Sequence, residues 1–282
     1  MANEVIHIQE SPLHGERKKL PIRLSDNGDG TYSMAGGGAA ANGGIPNDVS
    51  RKLRIEGHNQ SLVGGNVWHD IWEGGAAVIP EPEQVVGEQL AISSSSANDT
   101  LLGVGIRRIQ VDFLTVEQDG LYSEIIDLNG LAESLTVATN ITDIIDMHAI
   151  EVGTGGFADG IVDLHRVGDG AHIFSRISSG GNKSMTTLRH LLPTSTFYIT
   201  NAVISGDTKG IDVQIRSDAT DSGVVHSGVW MFAAPLTITD APATIAFNPA
   251  LEIPPGGRLK VSARGTAGGN SVSVIMNGWV KV

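Results

Sequence analysis

Apolar and polar residues alternate along much of the C-terminal part of the chain, from residue 196 to residue 282. The clearest run is 211–216 (IDVQIR). Successive side chains of a β-strand point to opposite faces of the sheet. This run therefore places its two isoleucines and its valine on one face, and Asp212, Gln214 and Arg216 on the other. The pattern predicts an antiparallel strand with one buried face.

Two other runs, 108–113 (RIQVDF) and 258–264 (RLKVSAR), alternate in the same way. In the second, Leu259, Val261 and Ala263 are predicted to face a core, opposite to Arg258 and Lys260. From residue 88 onward the predicted strands start roughly every 8–15 residues. They cover 88–93, 106–114, 122–128, 134–138, 145–152, 160–166, 171–177, 185–191, 196–204, 210–217, 228–233, 236–239, 243–247, 258–263 and 271–281. A single helical turn is predicted near residues 140–146.

This spacing predicts an all-β protein with a jelly-roll or β-sandwich body. Residues 1–60 are predicted to form an extended arm, with a β-hairpin at 20–34 and a Gly/Ala linker at 35–46. The body then divides into a β domain at 61–152 and a β-sandwich or jelly-roll domain at 153–282. A single large jelly roll after the arm is the alternative.

Composition narrows the class of protein further. The 36 glycines in 282 residues form many pairs between predicted strands, where tight turns need them. The sequence has no cysteine, which excludes disulfides, thiolate metal sites and cysteine nucleophiles. No apolar run approaches the ~20 residues that span a bilayer, and the first residues do not resemble a secretion signal. We expect a soluble protein without a membrane partner.

Charge is distributed unevenly along the chain. Residues 1–54 hold seven Lys or Arg and six Asp or Glu, whereas the remaining residues hold 12 and 25. The acidic body argues against a nucleic-acid partner, because phosphate contacts need a basic surface. The less acidic first segment is expected to behave differently from the body.

No catalytic constellation stands out, so we expect a protein without enzymatic activity, cofactor or metal. The run at 26–31 (DNGDGT) begins like a calcium loop, but the twelfth position is Gly37 instead of glutamate. The nine histidines show no metal-ligand spacing. Trp68 and Trp72 lie beside Asp70 and Glu73, a group that suits core packing, a subunit contact or a glycan site.

Several short segments resemble a family of tailed-bacteriophage structural proteins. They are 55–60 (IEGHNQ), 67–75 (VWHDIWEGG), 90–95 (LAISSS), 97–100 (ANDT), 103–107 (GVGIR), 128–130 (LNG), 177–184 (ISSGGNKS), 192–200 (LPTSTFYIT) and 278–280 (GWV). The resemblance covers residues 55–282. It implies a virion protein made in the bacterial host cytoplasm.

The leading hypothesis is a capsid decoration protein, cement protein or head fibre that forms a homotrimer. Its partners would be the major capsid protein or neighbouring virion subunits. The candidate partner-binding residues are Arg17, Lys18, Lys19, Arg23, Arg51, Lys52, Arg54, Trp68 and Trp72. A tail, neck or fibre adaptor that faces a receptor is the alternative, and a carbohydrate-binding module or enzyme is a further one.

Overall fold

A computed structural model of the chain describes residues 5–6, 22–26, 32–35, 50–62, 67–117, 120–206, 211–218, 231–238, 242–265 and 270–281. All the regular secondary structure within these ranges is β-strand, and the strands pair in antiparallel fashion. This confirms the predicted all-β class. No helix in the described ranges is long and apolar enough to cross a membrane. The chain divides into two compact units, Met1–Ile45 and Pro46–Val282.

The described residues of the first unit form one three-stranded sheet. Its strands are β1 (Val5–Ile6), β2 (Ile22–Asp26) and β3 (Tyr32–Ala35), in that order. β2 and β3 pair with each other, as the predicted hairpin requires. The predicted linker after β3 and the candidate residues Arg17, Lys18 and Lys19 lie outside the described residues.

The second unit contains the remaining strands. They are β4 (Ser50–Leu62), β5 (His69–Asp70), β6 (Leu90–Ser94), β7 (Ile106–Thr115), β8 (Tyr122–Asp127), β9 (Ser134–Leu135), β10 (Ile141–Val152), β11 (Val162–Arg166), β12 (Asp169–Ile177), β13 (Arg189–His190), β14 (Thr196–Gly206), β15 (Ile211–Asp218), β16 (Met231–Ile238), β17 (Ala243–Ile253), β18 (Arg258–Gly265) and β19 (Asn270–Lys281). They form four sheets, which enclose two large hydrophobic cores.

The first core lies between a three-stranded sheet, β10-β7-β8, and a four-stranded sheet, β12-β11-β6-β9. Ile109, Val111 and Phe113 of β7 contribute to it from one sheet, and Ile92 and Leu164 contribute from the other. Burial alternates along β7, because polar residues between the apolar ones stay at least partly exposed. We call this half of the unit the upstream sandwich.

The second core lies between the sheets β13-β18-β15-β16 and β17-β14-β19-β4, and β5 also pairs with β18. Ile211, Val213 and Ile215 are fully or almost fully buried in it, as the alternation predicts. The facing sheet contributes Ile199 and Val274, among others. We call this half the downstream sandwich.

Strand β18 differs from its predicted pattern, because both of its faces are buried. Leu259, Val261 and Ala263 enter the core as predicted, but Arg258 and Lys260 are also buried. Asp70 of the neighbouring strand β5 and Glu81 of the segment that follows it place carboxylates against this second face. The Nζ of Lys260 donates to Oδ2 of Asp70 at 2.9 Å. Arg258 donates to carboxylates of Glu81 and Asp218. Buried charges of this kind persist because they are paired.

The two sandwiches are nested in sequence. The downstream sandwich uses β4 and β5 and then β13–β19, and the upstream sandwich is inserted between these two parts. The predicted boundary after residue 152 therefore falls inside the upstream sandwich, since β11 pairs with both β6 and β12. Residues 50–60, placed in the arm by the sequence, form most of β4, which pairs with β19 along its length.

The helical turn predicted at residues 140–146 is wrong. Residues from Ile141 onward form β10, which pairs with β7. Several register shifts interrupt this pairing, including those between Ile141 and Asp143 and between Ile144 and Asp146. Such bulges disturb the period-2 alternation of a strand, which explains why the sequence there resembled one turn of helix.

One buried carboxylate joins two loops of the upstream sandwich. Oδ1 of Asp99 accepts hydrogen bonds from the backbone N–H of Ile106 at 2.8 Å and of Asp159 at 3.0 Å. Oδ2 accepts from Oγ of Ser94 at 2.6 Å and from the N–H of Gly160 at 2.8 Å. Asp99 is completely buried, so these four donors take the place of water.

Candidate functional site

An open cleft of about 340 Å³ lies where the upstream and downstream sandwiches meet. It is lined by residues from β4, β7, β10, β13, β14 and β19 and from the segments next to them. They are Lys52, Leu53, Arg54, Leu114, Leu121, Ile145, Asp146, Lys183, Arg189, His190, Leu191, Leu192, Ser195, Phe197 and Val280. The walls are mainly apolar, and four of the lining residues are Lys or Arg. We call this site the basic cleft.

Strand β4 brings Lys52 and Arg54 to the cleft. Both are exposed and lie two residues apart, whereas Ile55 faces the downstream core. Pairing with β19 fixes their positions, with Lys52 opposite Trp279 and Arg54 opposite Asn277. Arg54 also forms an ion pair of 2.6 Å with Glu56. Two of the sequence-predicted partner-binding residues therefore lie side by side at the same cleft.

Arg189 supplies a buried cation in the cleft wall. Arg189 is only 6% exposed, and its Nη1 donates to the carbonyl of Leu188 at 2.7 Å. Burial lowers the pKa of Arg189, although the charges of Asp146 and Glu56 act in the opposite direction. Within the described residues, no carboxylate lies within 4.0 Å of its guanidinium group. A buried guanidinium that no carboxylate contacts directly favours an anionic ligand.

Asp146 is the acidic residue of the cleft lining, and its carboxylate already has neighbours. Nζ of Lys183 lies 3.5 Å from Oδ1, and Nδ1 of His148 lies 3.1 Å from Oδ2. The cleft therefore carries a net positive charge on a chain whose formal net charge is −12. Apolar walls together with local positive charge suit a ligand that combines apolar groups with a carboxylate.

The two candidate tryptophans do not line the basic cleft. Trp72 is 2% exposed and packs with Ile79 and Leu188, and its Nε1–H donates to the carbonyl of Ala76 at 3.0 Å. Trp68 is half-buried, and the guanidinium groups of Arg216 and Arg264 lie 5.4 and 4.8 Å from its ring centroid. Trp72 therefore has no accessible ring face on which a sugar could stack.

Two further candidates are described only by their backbone. Arg23 lies in β2 and Arg51 in β4. Arg189 and Lys183 are not among the residues that the sequence indicates. The signal for Arg189 was its position in the apolar run 188–192 (LRHLL), where a charged residue indicates either a buried ion pair or a ligand.

Among the residues that the structure describes, two groups of side chains have donor atoms close enough together to hold a metal ion. Glu81, Asp143 and His190 form the first, and its donor atoms lie within 4.8 Å of one another in a largely buried position. However, Arg258 already pairs with Glu81, and Nδ1 of His190 lies 2.9 Å from Oδ1 of Asp143. Arg258 thus balances part of the negative charge that a metal ion would neutralise.

The second group consists of Asp112, Asp146 and His148 on the paired strands β7 and β10. Its residues are partly exposed, and Oδ1 of Asp112 accepts hydrogen bonds from Ser123 and Gln110. Lys183 lies beside Asp146, as described above. These contacts account for the group without an ion.

Glu73 gives the stability of the fold a testable pH dependence. Burial raises the pKa of Glu73, although hydrogen bonds from Ser178 and the backbone of Met185 act in the opposite direction. The folded protein therefore binds this proton more tightly than the unfolded chain, so stability falls as pH rises above the ordinary carboxyl pKa. We expect Glu73→Gln to raise the free energy of unfolding at pH 7 relative to the wild type, with little gain at pH 4.

Urea denaturation at both pH values measures this difference. The matched control is Glu252→Gln on the exposed side of β17, which should change the free energy of unfolding by no more than about 0.5 kcal/mol at either pH. A gain for Glu73→Gln that is as large at pH 4 as at pH 7 would contradict the assignment.

Comparison with known proteins gives only a weak structural similarity. No protein-family model matches this sequence, and neither does any curated protein. Among solved structures, the chain is similar to infectious bursal disease virus Gx strain, with 11% identity, a TM-score of 0.24 and coverage of 84% of this chain and 72% of the other. The structure of the Gt strain has 10% identity and a TM-score of 0.21, and the match covers 84% of this chain and 77% of the other. A mutant VP2 protein of the same virus, in T=1 particles, has 12% identity and a TM-score of 0.21, and the match covers 84% of this chain and 75% of the other.

Proposed function

We propose that this chain is a virion structural protein of a tailed bacteriophage, of the capsid decoration, cement or head-fibre type. It attaches to the major capsid protein or to neighbouring subunits through the N-terminal unit, and the all-β body forms further contacts between subunits. The role is one of assembly, without catalysis, cofactor or nucleic-acid partner. The protein is made in the host cytoplasm and acts in the virion.

The observation that supports an assembly role is the basic cleft on the acidic β-rich body, where the further contacts between subunits would form. Lys52 and Arg54 are exposed at it, Arg189 is buried in its wall, and the apolar walls can bury side chains of another protein. Protein interfaces commonly combine an apolar centre with charges that fix orientation. The sequence segments that resemble phage structural proteins point to the same class of partner.

The alternative of a glycan-binding protein has less support. It depended on Trp68 and Trp72 as stacking platforms, and Trp72 is buried in the core while two arginines lie over Trp68. A sugar needs an open aromatic face with polar groups around it. We therefore keep protein docking as the proposed function.

Deletion of residues 1–45 should abolish binding to virions of the source phage that lack this protein, while the body stays folded. This cut follows the boundary between the two compact units and leaves β4 intact. Co-sedimentation with particles measures binding, and circular dichroism measures folding. Undiminished binding by the folded truncation would refute attachment through the N-terminal unit.

Immunogold electron microscopy of intact phage, with antibody against residues 153–282, tests the location. Gold over the whole head supports a decoration or head-fibre role. Gold confined to the neck or tail would reject that role and favour an adaptor. Phage without label would contradict an exterior virion protein.

A further inference from the structure

A short turn at residues 83–86 exposes two valines in a fixed conformation. The backbone N–H of Glu83 donates to Oε1 of Glu88 at 2.9 Å, and the N–H of Val85 donates to Oε1 of Glu83 at 3.2 Å. Nε2 of Gln84 donates to the carbonyls of Pro82 at 3.0 Å and of Thr142 in β10 at 2.6 Å. These hydrogen bonds anchor the turn to the upstream sandwich.

The turn reverses the usual arrangement of polar and apolar residues. Gln84 points toward the protein, whereas Val85 is 77% exposed and Val86 is 67% exposed. A single exposed apolar residue needs no explanation, but two adjacent valines held outward on an anchored turn indicate a contact surface. Exposed Glu83 adds a carboxylate beside them.

The basic cleft has the complementary chemistry. Its apolar walls, which include Leu53 and Phe197, can accept aliphatic side chains, and Arg189 within it lacks a carboxylate partner among the described residues. Lys52 and Arg54 are exposed at the same cleft. A ligand that inserts two aliphatic groups and one carboxylate would bury apolar surface and bring a carboxylate into direct contact with Arg189.

We propose that copies of this chain associate by inserting the 83–86 turn of one copy into the basic cleft of the next. The contact is heterologous, because the turn and the cleft are different surfaces, and such contacts close into rings when the rotation between copies allows it. A homotrimer is one such ring. The place of this association in the virion rests on the proposed function. The association itself is a property of the isolated protein and can be measured without virions.

Sedimentation equilibrium of the full-length chain tests the association. The wild type should form oligomers as its concentration rises to about 100 μM, because weak but specific protein contacts have dissociation constants of up to about this size. The turn variant Val85→Ser/Val86→Ser and the cleft variant Lys52→Glu/Arg54→Glu should each raise the Kd of self-association at least tenfold. Leu102→Ser, at a leucine that is 94% exposed elsewhere, should associate like the wild type.

Mixing the two variants gives the decisive result. The turn variant keeps an intact cleft and the cleft variant keeps an intact turn, so an equimolar mixture should form a 1:1 dimer that does not grow further. A wild type that stays monomeric at every concentration would overturn the proposal. So would a turn or cleft variant that associates like the wild type, or two monomeric variants that do not combine.

The substituted residues are exposed, so the variants should keep the wild-type circular dichroism spectrum. The outcome is independent of particle binding. A chain that self-associates as described but does not bind virions would refute the proposed function alone, and a monomeric chain that binds virions would refute the self-association alone.

Discussion

Replacing Asp99 with alanine is expected to lower the free energy of unfolding by about 4 kcal/mol or more. The substitution leaves the backbone N–H groups of Ile106, Asp159 and Gly160 without their acceptor, together with the hydroxyl of Ser94. Each buried donor that loses its partner costs about 1–3 kcal/mol. Urea denaturation followed by circular dichroism measures the loss.

Asp99→Asn keeps the size of the side chain and one acceptor oxygen, so a loss of about 2 kcal/mol is expected. Asp159→Asn is the matched control on the neighbouring loop. Asp159 is exposed and accepts hydrogen bonds from Ser96 and Asn98, so its replacement should cost less than about 1 kcal/mol. If Asp99→Ala is no less stable than this control, the carboxylate does not hold the two loops together.

Replacing Trp72 with alanine is expected to cost about 3–5 kcal/mol, which is typical when a large aromatic side chain is removed from a core. The indole is almost fully buried against Ile79 and Leu188, and the substitution also removes its hydrogen bond to Ala76. Thermal unfolding monitored by circular dichroism gives the size of the effect without relying on tryptophan fluorescence.

Trp68→Ala is the control, because Trp68 is only half-buried and contacts arginine side chains at the surface of the downstream sandwich. We expect it to cost less than half as much as Trp72→Ala. Trp72→Phe should fall between the wild type and the alanine variant, since it keeps most of the apolar contact. Equal losses for Trp68→Ala and Trp72→Ala would show that Trp72 is not a core residue in solution.

The sequence predicts the strands of this protein better than their partners. The alternation at 211–216 and 108–113 identifies β15 and β7, because a strand with one buried face has an apolar residue at every second position. The pairing of β4 with β19 joins residues more than two hundred positions apart, and no local pattern specifies it. For that reason residues 50–60 looked like the end of an arm.

The same limit applies to the charged residues. The sequence places Arg258 and Lys260 on a solvent-facing side, because their carboxylate partners Asp70, Glu81 and Asp218 lie far away in the chain. The sequence indicates Lys52 and Arg54 by their charge alone, and the structure places them together with Arg189, which the sequence does not indicate. Side chains that meet only through long-range pairing cannot be grouped from the sequence.

The nesting of one sandwich inside the other sets an order for folding during synthesis. The upstream sandwich is contiguous in the chain from β6 to β12, so all of its strands are available once residue 177 has left the ribosome. β4 emerges before all of them, yet its pairing edge waits for β19. An unpaired strand of 13 residues is a template for pairing with other nascent chains. Slow translation between β12 and β19 would therefore increase aggregation, and chaperones that cover β4 would reduce it.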